Sequence, residues 1–138
     1  TSEYIGVTDR EKRQRLATQE IAAGFQYNVR TLKSAPVIAI QIIKEGISVF
    51  ESDGSFSTKK GDRCQTFDAG ISAGYLTLAV HEVGLGCVIQ GYFDEDAIKK
   101  VIEIPRGYQI GSIICIGYPE GDIKASSRKK AYEIMHVV

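Results

Sequence analysis

Three segments of the chain carry the apolar residues that a β-sheet requires. Residues 36–43 and 108–118 are apolar at almost every position and are rich in isoleucine. A run without polar alternation predicts a strand that is covered on both faces, so both segments are expected near the centre of a sheet. Residues 3–8 predict a third strand. With helical patterns between them, the sequence predicts an α+β fold, with a central mixed or antiparallel sheet flanked by helices.

Residues 66–83 predict the longest helix. Apolar side chains cover most of its circumference, namely Phe67, Ala69, Ile71, Ala73, Tyr75, Leu76, Leu78, Val80 and Val83. Such a helix is expected to be buried, either in the core or in an oligomer interface, and the sequence favours both at once. Close approach of a second helix is allowed by four small residues, Ala69, Gly70, Ala73 and Gly74. Gly84 lies where a left-handed C-cap is expected.

Two further helices are expected. A capping box from Thr8 to Glu11 begins the first, whose second half is predicted to pack through Leu16, Ile21 and Phe25. The second covers residues 94–103, is capped by Asp94 and ends before Pro105.

Residues 44–64 are polar and lack a sustained period, which predicts a long connection. Such a segment is either a lid over a substrate pocket or an ordinary surface excursion.

Composition narrows the class of protein. The 138 residues fit a single domain, residues 1–138, and the 17 basic and 17 acidic residues balance, which argues against a nucleic-acid partner. No apolar run approaches the ~20 residues that cross a bilayer, and the first ten residues lack a signal-peptide layout. We therefore expect a cytoplasmic protein with no membrane contact.

The cysteines and histidines predict no metal site and no acid–base residue. The three cysteines are far apart in the sequence, and only two histidines accompany them. Cys115 is expected to pack in the core as a reduced thiol. His81 is interpreted as a packing residue of the long helix.

The segment after the long helix, residues 84–94, is the first candidate for chemistry. Gly84 and Gly86 allow a sharp turn, and Gly91 lets the main chain approach a ligand without a Cβ atom in the way. Alone, this spacing is also explained by a helix cap followed by a strand.

The order of motifs around this segment resembles the nitroreductase family. The matching segments are Leu76-Thr77-Leu78-Ala79, Gly84-Leu85-Gly86, Ile89-Gln90-Gly91, the helix from Asp94 to Ile104-Pro105, Ile116-Gly117-Tyr118-Pro119 and Arg128, with Ala35-Pro36 upstream. The resemblance spans nearly the whole chain and implies a nitroreductase-like, dimeric α+β fold. One departure is that the family's opening Arg/Ser-rich helix does not precede Tyr4, so we expect the N-terminal third of the domain to be missing.

The resemblance implies a non-covalent FMN at a dimer interface. The cofactor would be contacted by Ile89, Gln90 and Gly91, with the N–H of Gln90 near flavin N5 and that of Gly91 near O4. Arg128, assisted by Lys124, would pair with the FMN phosphate. Without the resemblance, the basic residues around Arg128 are explained as a solvated turn.

The implied activity is a two-step exchange. NAD(P)H, as co-substrate, would reduce FMN, which would then reduce a nitroaromatic, quinone or similar small-molecule electron acceptor. The resemblance also implies a homodimer built on helix 66–83, with residues 132–138 adding a strand to the partner subunit. The alternative is a non-catalytic dimerising module that has lost flavin binding.

Overall fold

The computed structural model describes residues 2–121 and 125–138. In chain order its elements are β1 (Ser2–Val7), α1 (Arg10–Leu16), α2 (Gln26–Ser34), β2 (Val37–Lys44), α3 (Arg63–Glu82), β3 (Gly86–Gln90), α4 (Glu95–Lys99), β4 (Tyr108–Gly117) and α5 (Ala131–Ile134). The architecture is α+β, as predicted.

The sheet has four strands in the order β1-β2-β4-β3, and every neighbouring pair is antiparallel. The two isoleucine-rich segments, β2 and β4, lie in the centre, as their unbroken apolar runs predict. At the edge beside β4, the chain adds β3. This strand follows the cap of α3, so the turn at Gly84 does lead into a strand.

The two faces of the sheet are covered differently. Alternate residues of β2, Ile38, Ile40 and Ile42, pack with Leu16 of α1 and with apolar residues of α2 and α4 in the main core. Ala39, which lies between two of them, packs with Ala73 of α3 and Ile114 of β4 in a smaller apolar cluster. Cys115 lies in the main core, which confirms its expected packing role.

A buried polar cluster joins α3 to the sheet. The register between β2 and β4 shifts directly after Gln41, whose side chain is buried. Its Nε2 donates to the main-chain oxygen of Ala69 at 2.8 Å, and its Oε1 accepts from the Ser112 hydroxyl at 2.8 Å. Tyr4 and Ser72 share a hydroxyl–hydroxyl bond of 2.8 Å beside them. The cluster therefore links β1, β2 and β4 to the helix above them.

The first helix differs from the prediction at both ends. Its N-cap is Asp9, not Thr8, because the Asp9 carboxylate accepts from the Lys12 N–H at 2.9 Å. The helix also stops at Leu16, and the chain turns before α2 begins. Positive φ angles at Ala23 (46°) and Gly24 (85°) lie in this turn, and a helix cannot continue through that conformation.

Of the three residues that were predicted to pack in the core near this turn, two are buried and one is exposed. Leu16 and Ile21 are buried, as predicted. Phe25 was expected to be buried with them, but it is 52% exposed, and its ring lies against the exposed ring of Tyr92 and not in the core.

Helix α3 is buried on one side only. Ala69, Ala73 and Val80 face the sheet, whereas Phe67 (70%), Tyr75 (71%) and Leu78 (66%) are largely exposed. The sheet therefore buries one face of this helix, as predicted, and burial of the other face, which the sequence assigns to an oligomer interface, is not tested by a single chain. His81 is exposed, so its expected packing role is wrong for the single chain. Gly84 has a φ of 77°, which confirms the left-handed cap.

The segments before α3 and after β4 contain little regular structure. Residues 45–62 form a long connection as predicted, with one isolated bridge between Phe50 and Phe56. The tail forms one helical turn at Ala131–Ile134 where a strand from residue 132 was expected. All residues of this short helix are exposed in the single chain.

Candidate functional site

The turn after α3 reverses the chain into the sheet edge. The N–H of Gly84 donates to the His81 oxygen at 2.9 Å, and the N–H of Leu85 donates to the Val80 oxygen at 3.1 Å. These bonds close the helix, and β3 then pairs with β4 along one side. Within the described ranges, no strand pairs with the other side of β3. The main chain along that side is thus open to a ligand or to another chain.

Ile89, Gln90 and Gly91 lie together where β3 ends. Ile89 is 46% exposed, Gln90 is buried, and Gly91 is exposed. A Cβ atom built on Gly91 would meet no atom within 4 Å. The space beside the main chain at Gly91 is therefore open, which is the geometry that the predicted ligand contact requires.

The side chain of Gln90 points into the protein. Its Nε2 lies 3.4 Å from the main-chain oxygen of Asn28 and 3.6 Å from the Sγ atom of Cys115. Its buried Oε1 has no hydrogen-bond partner among the described residues. The sequence assigned only a main-chain role to Gln90, so this inward anchoring is a new finding.

Asn28 is the site residue that sequence reasoning missed. It lies in the first turn of α2 and is only 5% exposed. Its Nδ2 donates to the main-chain oxygen of Tyr92 at 3.0 Å, across 64 positions of sequence. Nothing in the polar stretch around Asn28 distinguishes it from an exposed helix residue, so the sequence held no signal for this contact.

An aromatic groove adjoins the end of β3. The rings of Phe25 and Tyr92 meet edge to face with centroids 6.2 Å apart. They line a shallow groove of about 510 Å³ together with Ala23 and Gly24. Apolar and aromatic walls of this kind suit a flat, uncharged molecule.

Arg128, the predicted phosphate-binding residue that lies in the described ranges, makes no hydrogen bond there to the segment around Gly91. Arg128 is exposed, and the hydrogen bonds of its guanidinium go to the Ser126 hydroxyl and to the main-chain oxygen of Ser127. Lys124 lies outside the described residues. The guanidinium of Arg128 thus has only local partners in the part of the chain that is described.

The thiols near the site are poorly suited to be nucleophiles. Burial raises the pKa of the Cys115 thiol to about 12, and burial also raises the pKa of Cys87 in β3. A thiol must ionise to attack, so both groups are held in the unreactive form at neutral pH. Across residues 2–121 and 125–138, no group of three His, Cys, Asp or Glu side chains could hold a metal ion.

None of the helices in the described ranges combines the length and the apolar character that crossing a membrane requires.

Comparison with known proteins gives one family and many similar structures. The model of the nitroreductase family matches residues 6–118. A comparison with curated proteins found no match.

Three solved structures illustrate the likeness. A nitroreductase family protein from Streptococcus pneumoniae TIGR4 has a TM-score of 0.78 at 22% identity, covering 98% of this chain and 78% of that one. An FMN-dependent nitroreductase from Clostridium difficile R20291 has a TM-score of 0.70 at 28% identity, with coverages of 99% and 75%. The NADPH:FMN oxidoreductase from Vibrio harveyi, complexed with NAD+, has a TM-score of 0.72 at 23% identity, with coverages of 98% and 57%.

Proposed function

Because the chain belongs to the nitroreductase family, we propose that it is an FMN-dependent oxidoreductase that passes electrons from NAD(P)H to a nitroaromatic, a quinone or a similar small acceptor. The observation that carries the proposal is the open main chain at Gly91, at the end of a sheet edge that no described strand covers. The FMN-dependent relative from Clostridium difficile supports the choice of cofactor.

The residues present fit a flavin. Gly91 leaves room for the edge of a planar ring, and its exposed main chain can supply a hydrogen bond at close range. Ile89 offers an exposed apolar side chain beside it. When bound, FMN supplies the redox chemistry, since it can accept a hydride from a nicotinamide and release electrons to an acceptor.

The protein's own contribution would be to bind and to orient. The N–H groups of Gln90 and Gly91 would stabilise negative charge on the ring, as fixed main-chain donors do in other active sites. Arg128, with Lys124, would hold the phosphate, for which a guanidinium with only local partners is suited. No side chain need act as a general acid or base in this scheme.

A homodimer would complete the site. The exposed face of α3 carries Phe67, Ile71, Tyr75 and Leu78. Built Cβ atoms at Gly70 and Gly74 on the same helix meet nothing within 4 Å, so a second helix could approach closely there. Burial of this face would stabilise the dimer at ~25 cal/mol per Å² of apolar area. The same contact between two subunits would also exclude water from the flavin site.

Flavin reconstitution tests the proposal. The purified full-length protein should take up FMN, turn yellow, and lose its flavin absorbance on anaerobic addition of NADH or NADPH. A quinone or nitroaromatic should then restore the colour. A protein that stays colourless after incubation with FMN would favour the non-catalytic module instead.

Two glycine variants locate the flavin. Gly91→Val should weaken FMN binding at least about tenfold, or about 1.4 kcal/mol, because the added side chain occupies the space that the ring needs. Gly6→Val is the matched control, since Gly6 is also exposed, lacks a positive φ, and has open space around its Cβ position. Equal FMN affinity in the two variants would remove Gly91 from the site.

A further inference from the structure

Asn28 contacts both neighbours of Gly91. Its side-chain Nδ2 donates to the main-chain oxygen of Tyr92 at 3.0 Å. Its own main-chain oxygen lies 3.4 Å from the Nε2 of Gln90, which can donate to it. One residue of α2 therefore holds the chain immediately before and immediately after the exposed glycine.

A second hydrogen bond holds the loop between β3 and α4 from another part of the chain. The N–H of Asp94 donates to the main-chain oxygen of Ile21 at 2.9 Å. The loop between β3 and α4 is thus bonded at two separate places, to Asn28 of α2 and to Ile21 in the turn between α1 and α2. With both ends of residues 90–94 anchored, the peptide at Gly91 has little freedom to rotate, although Gly91 itself lacks a side chain to hold it.

The polar nature of Asn28 is not explained by packing. Its side chain is 5% exposed, next to Val29 and Leu32 in a helix that packs on the apolar core. Burial of an amide costs free energy unless its hydrogen bonds are made, and a typical buried bond returns only about 1 kcal/mol. An apolar residue at this position would fill the same space and give the protein a similar free energy of unfolding. What the amide adds is a defined orientation for the Tyr92 carbonyl.

We propose that Asn28 is a positioning residue, which fixes the main chain at Gly91 so that its N–H stays directed at the edge of the flavin ring. This inference rests on the proposed function. Asn28 acts through the loop and does not itself touch the cofactor. A donor that is already oriented stabilises charge on the ring without first paying for reorganisation, so loss of Asn28 should affect both flavin affinity and flavin reduction potential.

The test separates loop order from stability. Asn28→Ala removes the donor, and Asn28→Asp removes it at nearly constant volume. Both variants should show faster amide hydrogen exchange confined to residues 90–93, measured without flavin. They should also bind FMN roughly tenfold more weakly and shift its reduction potential to lower values. Ser34→Ala is the control on the same helix, because among the described residues the Ser34 hydroxyl bonds only to the Thr31 oxygen. This variant should match the wild type in all three measurements.

Several results would overturn the proposal. Unchanged exchange at residues 90–93 in a folded variant would show that Asn28 does not hold the loop. Faster exchange throughout the protein, with a matching fall in Tm, would show that its role is only structural. If Asn28→Ala does not fold, Asn28→Asp decides by the same criteria. Failure of the wild type to bind FMN would instead refute the proposed function, while the exchange comparison would still report on the loop.

Discussion

At the scale of single residues, Gln90 and Gly91 have opposite roles at the end of β3. Gln90 directs its side chain into the core, towards Asn28 and Cys115, and so fixes the position of the strand end. Gly91 has no side chain and leaves its main chain exposed. The sequence predicts the second role from the identity of the residue. The first depends on Asn28, a contact 62 positions away that local sequence cannot reveal.

A prediction at this scale concerns Arg128. Arg128→Ala should weaken FMN binding severalfold or more, because a charge-assisted hydrogen bond to phosphate is among the stronger polar contacts. Titration of the apo-protein with FMN, followed by quenching of flavin fluorescence, measures the effect. Higher ionic strength should reduce the difference between the variant and the wild type.

The neighbouring lysine provides the control for Arg128. Lys129→Ala removes one positive charge from the same exposed segment without removing the guanidinium. If general attraction by a basic turn were the only effect, the two variants would lose the same affinity. That result would remove Arg128 from the phosphate site.

At the scale of elements, α3 has two different faces. One packs small residues such as Ala69 and Ala73 on the sheet, and the other presents large apolar side chains to solvent. Single exposed apolar residues are ordinary, but a row of them along about three turns of one helix is typical of an interaction surface.

A charge placed on this face should prevent self-association. Tyr75→Glu should convert the dimer to monomer, since a carboxylate would be buried without a partner at the contact. Analytical ultracentrifugation of the wild type and the variant measures the change. Ile47→Glu is the control, as Ile47 is a comparably exposed apolar residue outside the helix. A wild type that is monomeric at all concentrations, or a Tyr75→Glu variant that remains dimeric, would contradict the proposed interface.

The elements were largely predictable, and their surroundings were not. The unbroken isoleucine runs identify β2 and β4 as central strands, and Gly84 identifies the end of α3, because both depend on local chemistry. The exposure of Phe25 was not predictable, because it depends on the turn through Ala23 and Gly24. In the candidate site, Ile89, Gln90 and Gly91 follow from motif order, whereas Asn28 is found only from the fold.

At the scale of the whole molecule, the strands and helices meet at the main core, where β4 carries Cys115. Burial raises the pKa of this thiol to about 12, from an ordinary value of 9.0. The folded state therefore keeps the proton at pH values where the unfolded chain loses it. It follows that the free energy of unfolding should fall as pH rises from about 9 towards 12.

Urea unfolding at a series of pH values under reducing conditions measures this dependence. Cys115→Ala should be less stable at pH 7, because it leaves a small cavity, but its stability should fall less steeply above pH 9. Cys64→Ala provides a control for the loss of a thiol outside the main core. If the free energy of unfolding of Cys115→Ala fell as steeply above pH 9 as that of the wild type, groups other than Cys115 would cause the fall. One such group is Tyr108, whose pKa is raised by its hydrogen bond to Glu3.

The buried cluster at Gln41 has a consequence for how the strands find each other during folding. Isoleucine-rich strands bury a similar apolar area in several registers. Hydrophobic burial alone therefore distinguishes poorly between one register and the next. Gln41 distinguishes between them, because a slip of β2 by one residue would turn its amide to the opposite face, among Leu16, Ile98 and Ile113. There the Ala69 and Ser112 partners would be out of reach, and the unpaired amide would cost about 1–3 kcal/mol. One polar side chain thus allows the folding chain to reject a misaligned sheet.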